Sequence, residues 1–315
     1  MVVAPTAIRE QSRARYPDAT GFIERDGVRV FWERYGDGDP TILLLPTWSV
    51  FHSRHWKLQI PYLARHFRVL TFDGRGNGRS DRPSAVAAYA DTEFVADALA
   101  VLDASGTDRA VIAGLSMGAG YALRLAAEHP DRVSGAVFIG SSIPIGPRDP
   151  ERAAEEARSF DEPRPDDDGW AKYNAHFWRR DWPGFAEWFA HQIFSERHST
   201  KQIEDTVGWF LETDPETIIT KEQAPYLEPP AHWEDHRPGE PAALPFVRRV
   251  RCRSLVIHGD DDRISTHAVA ERLAEALGAP LVTIAGGGHS PLGRHPVLVN
   301  LLLRDFIESL SEEGR

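Results

Sequence analysis

Five residues, Gly114-Leu115-Ser116-Met117-Gly118, constrain this chain more than any other stretch, because of what flanks them. An apolar, β-branched run, Arg109-Ala110-Val111-Ile112-Ala113, leads in, and a helix-forming stretch from Ala119 to Glu128 leads out. Strand, sharp turn, helix is the context that makes G-x-S-x-G a nucleophile elbow. A serine in such a turn takes a strained backbone conformation, and glycines are needed two residues to either side, where a Cβ would strike the neighbouring strand or helix. Its hydroxyl then stands clear at the sheet edge, above a helix N-terminus. Without those flanks the pentapeptide reads equally well as a Gly-rich turn with an incidental serine.

Partners for the serine follow downstream. Arg253-Ser-Leu-Val-Ile257 reads as a strand ending in His258-Gly259-Asp260-Asp261-Asp262, and Pro280 to Ala285 as another ending in Gly286-Gly-Gly-His289. A serine hydroxyl is a poor nucleophile until a base takes its proton. Histidine titrates near neutrality, and a carboxylate fixes the imidazole tautomer and stabilises its cation. Ser116 as nucleophile, His289 as base and acid, and one carboxylate from residues 260–262 as orienter make a complete set.

Composition bounds the remaining choices. The 315 residues, 42% of them hydrophobic, suffice for one large core and are long for a minimal domain of this kind. A formal net charge of −11 argues against nucleic acid, whose phosphates need basic partners. The single cysteine, Cys252, excludes an intramolecular disulfide and fits a reducing compartment. No apolar run approaches the roughly 18 residues that span a bilayer, so no membrane partner is expected. Met1 to Glu10 lacks the basic region and apolar core of a leader. Glu10 and Asp18 interrupt the arginines that a transit peptide would keep free of acids. A cytoplasmic place is expected.

Rival motifs fail. Asp73-Gly-Arg-Gly-Asn-Gly opens like an EF-hand loop but has Arg75 at its third position and Ser84 at its twelfth. Gly74, Gly76 and Gly78 lack dinucleotide-loop spacing, and no H-E-x-x-H occurs. No cofactor and no metal are expected, and the partner is a small-molecule substrate.

Strand alternates with helix along the chain. Gly21 to Gly36 reads as a hairpin turned at Asp26-Gly27, followed by strands at Thr41–Leu45, Phe67–Phe72, Ala110–Ala113 and Arg132–Ile139, with helices at His55–His66 and Thr92–Ala104. That alternation predicts a mostly parallel sheet covered on both faces. From Pro144 to about Pro245 helix-like, aromatic segments replace it. Strand and helix return with Arg253–Ile257, Thr266–Leu277, Leu281–Ala285 and Val297–Leu310. The expected organisation is a core of residues 1–143 and 246–315 with a helical cap insertion at 144–245. Most of the insertion's aromatics are expected to hold a thin layer onto the core, and several to line a pocket.

On these residues the chain resembles the α/β-hydrolase superfamily, in its serine hydrolase branch with a helical cap, over about Gly21 to Ile307. Asp73-Gly-Arg-Gly-Asn-Gly-Arg-Ser80 matches that family's D-x-R-G-x-G-x-S loop, and His258-Gly-x-x-Asp262 its acid-bearing segment. The resemblance thereby selects Asp262 over Asp260 and Asp261. No acid stands in the family's alternative position at Gly140-Ser-Ser-Ile-Pro144. It implies an α/β-hydrolase fold, with a mostly parallel central sheet flanked by helices. Many relatives carry His-Gly after the third strand, whereas here Thr41 to Leu45 runs into Pro46-Thr47-Trp48, and proline has no N–H to donate. By position, the backbone N–H groups of Trp48 and Met117 are expected to hold a developing oxyanion. Serine at the elbow argues against the haloalkane dehalogenase and epoxide hydrolase branches, which need a carboxylate nucleophile.

The expected reaction is hydrolysis of a small to medium apolar or aromatic ester or lactone through an acyl-enzyme. Carbon–carbon cleavage of a β-diketone-like product, cofactor-free perhydrolysis, or a slow ligand receptor are the alternatives. His52, His55, Trp56, Trp178 and Trp182 are expected at the substrate, whereas His198 reads as an ordinary satisfied histidine. Oligomeric state is not legible.

Overall fold

The computed structural model describes residues 14–233, 237 and 239–312. The Met1–Glu10 stretch read for a leader lies outside them. Eight strands form one sheet: β1 (Ala19–Arg25), β2 (Val28–Tyr35), β3 (Thr41–Leu44), β4 (Arg68–Phe72), β5 (Ala110–Leu115), β6 (Val133–Ile139), β7 (Arg253–Gly259) and β8 (Leu281–Ile284). Their order is β1-β2-β4-β3-β5-β6-β7-β8. β1 and β2 are antiparallel, joined through Asp26 and Gly27, both at positive φ, as a two-residue hairpin turn of matching twist requires. β2 meets β4 antiparallel, and from β4 onward every pairing is parallel.

The helices are α1 (Ile60–Leu63), α2 (Asp91–Ala104), α3 (Met117–Glu128), α4 (Pro150–Glu156), α5 (Ala175–Arg180), α6 (Trp182–Ile193), α7 (Thr200–Leu211), α8 (Pro215–Glu222), α9 (Leu244–Val247), α10 (His267–Leu277), α11 (Pro291–Arg294) and α12 (Pro296–Glu312). Strand residues of alternate parity feed two apolar layers. Leu43, Leu70, Ile112, Phe138 and Val256 pack with α2, α3 and α10 on one face, while Ile42, Val69, Val111, Val137 and Ile257 pack with α1 and α12 on the other. A period of two is what a strand covered on both sides must show.

One element departs from expectation. The helix read over His55–His66 is a 3₁₀ turn at Ser53–Trp56 followed by the short α1. Pro61 has no N–H to bond back across the intervening turn, so it opens a new helix instead of continuing one.

Between β6 and β7 the described residues form helices and no strand. Their apolar side chains divide. Trp170, Phe177, Trp178, Trp182, Phe185, Phe189, Phe210 and Ile218 form a third cluster with Trp48 and Val50 of the loop after β3, whereas Leu227, Ala243, Phe246 and Val247 join the cluster beneath α3. Among the described residues no helix is long and apolar enough to cross a membrane.

Candidate active site

Ser116 closes β5 and caps α3 at φ 55° and ψ −118°, a conformation costly for any residue with a Cβ. It is held there because its N–H donates to the Ile139 carbonyl at 2.9 Å and its own carbonyl accepts from Ala119 at 3.0 Å. Neighbouring glycines make the turn possible: a Cβ on Gly114 would strike the Gly118 carbonyl, and one on Gly118 the carbonyl of Pro46. That second contact seats the loop after β3 on the elbow, backbone against backbone. The Ser116 hydroxyl shares a hydrogen bond of 2.9 Å with Ser142 Oγ, a residue from the loop after β6.

At the ends of β7 and β8 the other candidates meet. His289 Nδ1 lies 2.8 Å from Asp262 Oδ2, and the second oxygen of Asp262 accepts the N–H groups of Ile264 and Ser265 at 2.8 and 2.9 Å. His258 also reaches Asp262 Oδ2, with Nε2 at 3.1 Å. Burial pushes the Asp262 carboxyl upward, but the two imidazoles outweigh it and hold the group well below the usual carboxylate range. Asp262 in turn raises His258 despite its burial. With Nδ1 donating to the carboxylate, the lone pair of His289 sits on Nε2. The helical segment fixes this loop: the His289 N–H donates to Ile193 at 2.9 Å, and that of Gly288 to Glu196 Oε1 at 2.8 Å.

Ser116 and His289 border one cavity of about 330 Å³, walled by Trp48, Phe51, Tyr173, Phe189, Phe194, Trp209, Ile264 and Leu292. Lys57, Lys201 and Asp205 form a polar rim, with Lys201 Nζ 2.8 Å from Asp205 Oδ1. Among the described residues the Trp48 N–H has no hydrogen-bond partner. Met117, first in α3, has no helical carbonyl behind it to receive its N–H. Both residues line the cavity that Ser116 borders, and backbone donors aimed at a carbonyl oxygen can receive the negative charge that develops on it.

The D-x-R-G-x-G-x-S loop braces this arrangement from below. Asp73 accepts the N–H groups of Ser53 and Arg79, both at 2.9 Å, and Ser49 Oγ donates to the Arg75 carbonyl at 3.0 Å. Arg75 is locked in turn by a fork onto the fully buried Asp97, at 2.6 and 2.9 Å.

Of the five residues expected at the substrate, His55 lies on the cavity wall, and the other four stand behind it. His52 turns away, with Nε2 3.2 Å from Glu212 Oε2 and Nδ1 accepting the Arg54 N–H at 3.2 Å. Trp56 is fully buried and donates Nε1–H to the Leu45 carbonyl at 2.9 Å, as Trp182 does to Phe210 at 2.9 Å. Trp178 is sandwiched among Trp48, Phe160, Tyr173 and Phe185. These four are corrected from substrate contacts to packing, because their ring faces and most of their polar tips are taken up inside the layer. Tyr173, Phe189, Phe194 and Trp209 take the wall positions instead, though nothing in their spacing marks them from the other aromatics. Ser142, Lys221 and Glu222 escaped sequence reasoning altogether, since only folding brings them near the elbow. Among the described residues no group of three His, Cys, Asp or Glu side chains is arranged to hold a metal ion.

Comparison with known proteins follows the same lines. The sequence pattern of the alpha/beta hydrolase fold matches residues 40–296. Epoxide hydrolase B of Mycobacterium tuberculosis is 40% identical over 94 residues, 30% of this chain and 26% of that protein, so the chain spans about a quarter of that relative's length. A non-heme chloroperoxidase of Streptomyces lividans is 27% identical over 292 residues, 90% of this chain and 98% of that one. Among solved structures, Est816, described as an N-acyl homoserine lactone degrading enzyme, superposes with a TM-score of 0.71 at 26% identity, covering 91% of this chain and all of its own. With the pattern matched over most of its length, the chain belongs to the alpha/beta hydrolase family.

Proposed function

We propose that the chain is a serine hydrolase that cleaves compact apolar or aromatic carboxylic esters or lactones through an acyl-enzyme, with the inserted helices acting as its cap. One observation carries this reading: the strained Ser116 and the Asp262-bonded His289 border the same largely aromatic cavity. His289 Nε2 takes the Ser116 proton as Oγ attacks the carbonyl carbon. The oxyanion is received by the N–H groups of Trp48 and Met117, and Asp262 stabilises the imidazolium. The proton on Nε2 passes to the leaving alkoxide. Water, deprotonated by the same nitrogen, attacks the acyl carbon and releases the acid and free Ser116. The lactone-degrading relative supports cyclic as well as open esters.

Turnover of p-nitrophenyl esters from acetate to palmitate tests it. A cavity of about 330 Å³ admits short and medium acyl groups, so kcat/KM should peak there and fade gradually along the series, each misfit methylene changing discrimination by about 1–3 kcal/mol. A peak at palmitate, or no labelling of Ser116 by a fluorophosphonate, rejects the reading.

A further inference from the structure

A second cavity, of about 320 Å³, adjoins the first and shares Met117, Ser142, Arg152 and Tyr173 with it. Its lining is of another kind. Five cationic side chains, Arg148, Arg152, Arg158, Arg164 and Lys221, meet three carboxylates, Glu155, Glu156 and Glu222, in a chain whose net charge is −11. The arginines are largely engaged: Arg148 and Arg152 pair with Glu156, Arg164 with Glu155 at 2.7 Å, and Arg158 with Glu162 at 3.0 Å. Glu222 is engaged as well, one oxygen accepting from Trp48 Nε1 at 2.8 Å and the other from Tyr173 Oη at 2.7 Å.

Lys221 stands apart from this pattern. Its side chain is 5% exposed, yet among the described residues its ammonium meets just Met117 Sδ at 3.2 Å and Glu222 Oε1, an ion pair at 3.6 Å that is too long for a hydrogen bond. A thioether is a weak acceptor. Glu222 thus balances the charge without accepting one of its hydrogen bonds, and the ammonium keeps donors on the cavity wall that a carboxylate entering the cavity would accept. Burial depresses this lysine, and Glu222 beside it opposes the shift.

Resting on the ester hydrolase reading, we propose that the second cavity is a subsite for a carboxylate borne by the substrate, and that Lys221 selects it. The surplus of cations in the lining favours an anion over a neutral carbonyl. Ser142 joins the two sites, since it walls the second cavity while its Oγ lies 2.9 Å from Ser116 Oγ. The substrate class is thus an ester or lactone with an apolar body and one carboxylate, such as a half-ester of a dicarboxylic acid.

The test compares monomethyl adipate with methyl hexanoate, esters of the same acyl length with and without the anion, by methanol release. In the native protein kcat/KM should favour monomethyl adipate at least tenfold. Lys221→Met should lower that ratio about ten- to hundredfold, the range of a lost charge-assisted hydrogen bond, while Lys221→Arg should keep it above that of Lys221→Met. The neutral ester cancels any disturbance that reaches Met117. A native preference for hexanoate, or a ratio unmoved in folded Lys221→Met, overturns the proposal. If neither ester is cleaved, the ester reading fails separately, and adipate titrated against tryptophan fluorescence decides the subsite. Saturable binding that Lys221→Met weakens tenfold supports it; binding that is absent from the native protein, or equal in both, overturns it.

Discussion

Trp48 Nε1 lies 2.8 Å from Glu222 Oε1, which ties the loop beside the elbow to the end of α8 across 174 residues of chain. Glu222 also accepts from Tyr173 and offers the nearest carboxylate to Lys221. Glu222→Ala should therefore cost on the order of 3 kcal/mol in stability, by leaving two donors and a buried cation without their carboxylate. Since Trp48 is also proposed to supply a backbone donor to the oxyanion, kcat should fall more than KM rises. Urea denaturation and steady-state kinetics check both, and a variant as stable as the native protein would show that the carboxylate is dispensable.

Backbone strain at Ser116 gives a second prediction. Ser116→Ala and Ser116→Gly should both abolish fluorophosphonate labelling and esterase turnover. They should differ in stability. Alanine keeps the penalty of φ 55°, whereas glycine tolerates it, so the glycine variant should be the more stable of the two by about 1 kcal/mol. Equal melting temperatures would mean that the turn stores no strain.

The three consecutive aspartates separate by geometry. Asp262→Asn should cost on the order of 10⁴-fold in kcat, because an amide cannot hold the His289 tautomer. Asp261 is exposed and Asp260 accepts the Gly286 N–H, so amides at either position should cost far less. A severe loss in Asp261→Asn would reassign the orienting carboxylate.

His55 gives a pH dependence. Burial lowers its pKa from 6.5 to about 4, against a hydrogen bond to the His52 carbonyl that works in the opposite direction. Its folded pKa is depressed, so below pH 6.5 the unfolded chain binds a proton that the folded chain refuses. The stability this histidine contributes is fully present above pH 6.5 and is lost as pH falls toward about 4, by up to on the order of 3 kcal/mol. His55→Gln should flatten that part of the stability profile. Denaturation midpoints taken at intervals from pH 7 to 4.5 test this, and parallel profiles for the two proteins would exclude His55 as the source.

How much of this was legible in the sequence follows from the range of the interactions. The strands were readable, and so was the sequence of a serine, a run of three aspartates and a histidine just past strand ends, because β-branched runs and glycine turns are local signals; the choice of Asp262 within that run came from the family resemblance. The direction of each aromatic in the helical segment was not. Trp178 and Tyr173 lie five residues apart in the same kind of sequence, yet one is sealed in the layer and the other walls both cavities. Helical periodicity cannot make that distinction when a thin layer has apolar neighbours on both sides. Lys221 and Glu222 read as an ordinary charged pair at a helix end. Their meaning depends on Trp48, Met117 and Tyr173, which only the folded chain brings to them.

Trp48 touches five rings of the helical segment, those of Tyr173, Trp178, Phe185, Phe189 and Phe210, with centroids 5.1 to 6.4 Å from its own. Its indole thus belongs to both parts of the molecule at once. The helical segment is for that reason not an interchangeable module: transplanted onto another sheet of this family it would carry a socket with no plug, and a foreign segment placed here would leave an indole in water. Recombination between relatives should succeed only where the crossover moves residues 46–51 together with the helices.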